Sequence, residues 1–151
     1  MAPSTNPIRL RVADRFVEVL KAIESGSTYW YTPHEVQRNV IPYENAKHGP
    51  IYSVFTEGAG PIEIESDNNI NEMFYIAVDG IVFDRSDPVA VVEKALTDVR
   101  LAIDTDSINP AANTLGTLCY QVRMDESPEM DYWENYAAFR QRFRIRVGGI
   151  T

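Results

Sequence analysis

The stretch Tyr136–Val147, YAAFRQRFRIRV, decides how this chain is read. Arg140, Arg142, Arg144 and Arg146 fall on one parity, while Ala137, Phe139, Phe143, Ile145 and Val147 fall on the other. Successive side chains of a strand point to opposite faces, so the segment writes one apolar face and one arginine comb. A sheet with one covered face follows, and something must cover it. The comb also stands apart in charge. All 22 Asp and Glu lie before residue 135, in a chain whose formal net charge is −8.

Working outward, two helical stripes supply the cover. Asn6-Pro7 reads as a cap followed by a first-turn proline, and Ile8, Val12, Phe16, Val19 and Ile23 then recur at helical spacing up to Gly26. Ser86-Asp87-Pro88 repeats the device before Val92, Leu96, Val99 and Ile103. Between the helices, IYSVFTE at 51–57 reads as a mostly buried strand and IEIE at 62–65 as an exposed one. Turns are expected over 58–61 and 67–69. EMFYIAVDGIVF at 72–83, apolar on both parities apart from Asp79, reads as a central strand. Residues 117–125 alternate as a strand that would pair with 136–147 across an acidic loop at 126–134. Residues 27–50 hold Pro33, Pro42 and Pro50 and read as an irregular arm or edge strand. The expectation is one α+β domain spanning 1–151: a mainly antiparallel sheet of about five strands with two amphipathic helices packed on one face.

Composition narrows the function classes. A pI near 4.7 disfavours a general nucleic-acid binder, because phosphate neutralisation needs clustered cations. A secretory leader is not expected from MAPSTNPIRLR, and no run approaches the length of a membrane span. The single cysteine, Cys119, is read as packing rather than as a nucleophile. His34 and His48, with Cys119 or an acid, could in principle hold zinc, but solvent-exposed histidines are the favoured reading. Glu63 with Glu65 reads as a solvated edge, and 125–134 lacks the ligand spacing and central glycine of a calcium loop. No catalytic or cofactor signature emerges, and no cofactor is expected.

The comb is the candidate functional feature. Neighbouring arginines about 7 Å apart repel by only about 0.6 kcal/mol in water, so solvation or intrachain pairing is one reading of the comb, and nucleic acid is another. The other substantial reading is an intersubunit role. Arg140, Arg142, Arg144 and Arg146 would meet Glu126, Glu129, Asp131 and Glu134 of a neighbour, with Trp30 and Trp133 as apolar anchors. Trp30 with Tyr29 and Tyr31 is read first as packing on the domain body. Replacing Arg142 and Arg144 by Glu is expected to leave the protein folded.

The layout resembles the phage tail terminator proteins, also called tail completion or head–tail joining proteins. The similarity runs through NPIRLRVADRFVEVLKAI, EMFYIAVDGIVF followed by RSDPVAVVEKALTDVRLAI, and AAFRQRFRIRV, while residues 28–50 depart from the family pattern. The resemblance implies a non-enzymatic virion protein that forms a ring with copies of itself, commonly a hexamer, at the head-proximal end of the tail. Its partners would be the tail tube protein and a neck or connector protein, with genomic DNA passing only in transit and no membrane involved. Other neck or head-completion subunits, and a small α+β ligand-binding or hydrolytic domain, are the competing readings.

Overall fold

The computed structural model describes residues 6–58, 62–66, 69–124 and 126–148; the side chains of 62–71 lie outside that description. The element order is α1 (Ile8–Lys21), β1 (Glu35–Gln37), a 3-10 helix (Tyr43–His48), β2 (Ile51–Glu57), β3 (Ile62–Ser66), β4 (Asn69–Phe83), α2 (Pro88–Ser107), a single turn α3 (Leu115–Leu118), β5 (Gln121–Arg123), β6 (Glu129–Trp133) and β7 (Tyr136–Val147).

The fold is α+β. Among the described residues seven strands form one sheet, ordered β1-β2-β4-β7-β5 across its width. Strand β3 pairs with β4 beyond the end of β2, and β6 pairs with β7 beyond β5. The sheet is therefore five lanes wide, and two of those lanes hold two short strands each. Long central strands make this possible: β4 and β7 pair antiparallel from Glu72↔Val147 to Phe83↔Tyr136. Only β1 with β2 is parallel among these pairings.

Both helices lie against one face. Val12, Phe16 and Leu20 of α1 join Val92, Leu96, Val99 and Ile103 of α2 in one buried cluster with Tyr52, Val54, Phe74, Ile76, Val78, Phe139, Phe143 and Ile145. Phe16 meets Phe143 edge-on with ring centroids 5.3 Å apart. Each such side chain contributes about 1.5–3 kcal/mol on burial, which is what holds the helices to the sheet. The alternation in β7 stands as read from sequence, with one exception of chemistry: Gln141 lies on the apolar parity and is fully buried. Its Oε1 accepts from Arg100 Nε and Nη2 at 3.0 and 2.7 Å, and its Nε2 donates to the Glu126 and Arg142 carbonyls. A buried amide satisfied at both ends avoids the desolvation cost of an unpaired one.

Several local expectations are corrected. Asp87 caps α2 as expected, accepting from Ala90 N with Pro88 in the first turn. Asn6 does not cap α1: Pro7 occupies the cap position with no side-chain cap bond, so Asn6 stands one residue too early. α1 ends at Lys21 rather than at Gly26. Residues 117–125 are not one strand. Thr117 and Leu118 complete the α3 turn, and only Gln121–Arg123 pair with β7. The turn is imposed from outside the segment, because the Asp106 carboxylate accepts Leu115 N at 2.9 Å and the Thr114 carbonyl accepts from Leu118 N at 2.9 Å. The acidic loop is in turn largely a strand: β6 and β7 form a tight hairpin closed by Glu134 and Asn135, with Glu134 at φ 52°. The turns expected at 58–61 and 67–69 fall mostly outside the described residues, as do the side chains of Glu63 and Glu65.

Residues 27–50 cross from one face to the other. The backbone N–H groups of Trp30 and Tyr31 both donate to the buried carboxylate of Asp98 on α2, at 2.9–3.0 Å. The chain then forms the edge strand β1 and the 3-10 helix, which folds over one end of the opposite sheet face. There Ile41, Ala46, Ile51 and Tyr136 make a second buried cluster with Ile81, Phe83 and Trp133.

Candidate functional site

The sheet face opposite the helices carries the comb, and strand register dictates its neighbours. Arg140 stands opposite Asp79 of β4 on one side and Glu129 of β6 on the other. Asp79 is in turn opposite Ser53 of β2, and Glu57 lies two pairs further along the same face. Acids from three strands thus converge on the middle of β7.

Arg140 grips Asp79 in a two-point contact, Nε–Oδ1 2.5 Å and Nη2–Oδ2 2.7 Å, and its Nη1 reaches Glu57 Oε1 at 3.2 Å. Arg142 donates from Nε to Glu57 Oε2 at 2.7 Å and from Nη1 to Glu129 Oε1 at 3.1 Å. Glu57 bridges both arginines. The Asp79 hydrogen bond raises the Arg140 pKa, and those of Glu57 and then Glu129 raise that of Arg142, so both remain charged at any pH of interest. Planar guanidinium forks held by carboxylates on several strands keep these side chains in one arrangement. The lattice sets two arginines against three carboxylates, so this part of the comb carries no surplus positive charge.

At the hairpin end the same face turns aromatic. Trp133 stacks on Tyr136 with centroids 5.6 Å apart, while Tyr43 and Phe83 pack against Tyr136 at 5.0 and 5.1 Å. A groove of about 600 Å³ runs beside them, with Lys47, Arg85 and Glu134 among its walls. A second, of about 420 Å³, follows β6 and β7 over Asp79, Glu129 and Arg140.

The sequence-derived candidates divide accordingly. Arg140, Arg142 and Glu129 meet in the lattice, inside one chain. The hairpin partner of the comb strand is β6 rather than residues 117–125, and it brings Glu129. Arg144 and Arg146 continue the row, half-buried, opposite Tyr75 and Met73 of β4 and beside Arg123 and Gln121 of β5. Trp133 sits half-buried in the aromatic cluster, and exposed Glu134 lines its groove. The Glu126 contact to the comb strand is through its backbone carbonyl, not its carboxylate. Asp131 points its Oδ1 at the following amide, Tyr132 N. Trp30 is remote from this face: it is 57% exposed beside α2, with Lys94 Nζ 4.6 Å from its ring centroid. Glu57, Asp79, Tyr43, Phe83 and Tyr136 were not singled out from the sequence. Asp79 did leave a signal, as the one charge inside an otherwise apolar strand.

The remaining chemistry is quiet. Burial pushes the Cys119 thiol up to about 12, so it is protonated at neutral pH and no ready nucleophile. Among the described residues no three metal-ligating side chains converge, and no helix is long and apolar enough to cross a membrane. No protein-family model matches the chain, and no curated protein is found to match it.

Proposed function

We propose that this protein is a structural virion subunit of phage tail terminator type. Copies close into a ring, six being the number the resemblance implies, at the head-proximal end of a tail tube. The ring ends tube polymerisation and joins the tail to the neck, without catalysis and without a cofactor, while DNA passes through its lumen. The sequence resemblance supports this reading, and the helix–strand–aspartate–proline–helix–final strand order on which it rests is also the order of the fold.

The observation that carries the proposal is the open face of the sheet. Arg140 and Arg142 are already paired across β2, β4, β6 and β7, so the middle of the face presents fixed, charge-compensated side chains beside an aromatic patch. Such a face can be desolvated against another protein without stranding a charge, and little side-chain entropy remains to be lost. Arg, Tyr and Trp are also the residues enriched where interfaces bind most strongly. Nucleic acid would instead call for surplus positive charge, which Arg140 and Arg142, set against three carboxylates, do not supply.

Light scattering on the eluting protein, with negative-stain imaging, tests this directly. A closed ring of about six subunits at micromolar concentration is expected, because a head-to-tail interface either closes or grows without limit. A monomer at about 100 µM, or a two-fold dimer that buries the open face symmetrically, would overturn it.

A further inference from the structure

We propose that His34 and His48 form a two-ligand site for a borderline divalent cation of the Zn²⁺ class. The two rings, 14 residues apart in sequence, stand with their centroids 5.2 Å apart and their planes at 49°. A metal held about 2.0–2.1 Å from one nitrogen of each ring sits about 3.2 Å from each centroid. At the tetrahedral angle that places the centroids about 5.2 Å apart. The separation observed matches the one a shared zinc ion would set, and both side chains are exposed, so an ion can reach them.

The backbone sets up this pairing. His34 leads into β1, and its N–H donates to the Pro50 carbonyl at 2.7 Å, one residue before the parallel pairing of Glu35 with Ile51. His48 is the last residue of the 3-10 helix, and Gly49 follows at φ +147°. A Cβ at position 49 would approach the His34 Cβ to 3.3 Å, so glycine allows the two chain segments to pass this closely. Both imidazoles therefore project from held backbone rather than from free loop tips, which lowers the entropy cost of chelation.

The chemistry selects the ligand. Two imidazoles suit Zn²⁺, Ni²⁺ or Cu²⁺, whereas Ca²⁺ and Mg²⁺ call for oxygen. The neighbouring Glu35 carboxylate is engaged by Gln37 and Asn45. Among the described residues no third His, Cys, Asp or Glu completes the set, so water fills the remaining positions. A bound ion would clip the entrance of β1 to the end of the 3-10 helix that covers the second apolar cluster.

The test is calorimetric titration of the full chain with zinc chloride, repeated on His34→Ala and His48→Ala and in excess Ca²⁺. Half the ligands of a structural zinc site should give a dissociation constant of about 1–100 µM at one ion per chain. Each substitution should weaken binding by about tenfold or more, and Ca²⁺ should not compete. In the wild type, the imidazole resonances of both histidines should shift together as zinc is added. Circular dichroism checks that the variants, altered only at exposed side chains, remain folded. Variants that bind like the wild type, competition by Ca²⁺, or no saturation below about 1 mM would overturn the site and assign any uptake to surface carboxylates.

Discussion

Asp98 and Asp106 lie among the buried residues of α2, where a carboxylate survives only if the fold supplies partners. They are answered differently. Burial raises the pKa of Asp98, opposed by the N–H groups of Trp30 and Tyr31. Burial also acts to raise that of Asp106, but the Arg15 guanidinium and Leu115 N–H outweigh it and hold the carboxyl below its ordinary 3.8. Arg15 Nη2 is 2.6 Å from Asp106 Oδ1, which ties α1 to α2. A depressed carboxyl stabilises the fold fully above its unfolded value, and the contribution disappears as pH falls through the folded one. Asp106→Asn should therefore cost about 2–3 kcal/mol near pH 7 and flatten the loss of stability below about pH 4. Urea unfolding from pH 7 down to pH 2 measures both, and an acid limb identical to the wild type would count against the assignment. Helical spacing from Val99 and Ile103 places Asp106 on the buried stripe in sequence alone; that Arg15 meets it there needed the crossing of two helices.

The β6–β7 hairpin shows where element boundaries were hidden. In EMDYW at 129–133, Glu129, Asp131 and Trp133 alternate with Met130 and Tyr132, which is strand periodicity. The acids made it look like a loop, because an edge strand with one wet face resembles polar connection. The converse error fell on 117–125, whose alternation was genuine as a pattern but was overridden where Asp106 and Thr114 hold the α3 turn. The hairpin turn carries its own strain. Glu134 takes a left-handed φ of 52° that costs a non-glycine residue about 1–2 kcal/mol. Glu134→Gly should recover about 0.5–1 kcal/mol of that after the entropy of the unfolded glycine is counted. A higher midpoint in thermal or denaturant unfolding is the expected result; a lower one would mean that the Glu134 side chain itself supports the turn.

At the scale of the molecule, the two faces of the sheet are built by different rules. One is sealed by α1 and α2; the other is cross-linked by ion pairs and capped at one end by the 3-10 helix. The comb was expected to tolerate Arg142→Glu together with Arg144→Glu because it faces away from the helices. The structure attaches a cost to that substitution, since a carboxylate at position 142 would face Glu57 and Glu129. Partial exposure of these groups limits the cost to about 1–2 kcal/mol for Arg142→Glu alone. Adding Glu57→Arg should restore part of it, as a double-mutant cycle on stability will show; strict additivity would mean the two are not coupled. The sequence by itself determined the α+β class, both amphipathic helices, the central strand and the two faces of β7, because periodicity is a local consequence of backbone geometry. Only the tertiary structure decided which acids meet the arginines and that His34 lies beside His48. Those contacts join residues far apart in the chain, and their partners are set by strand register and helix crossing, which no local pattern encodes.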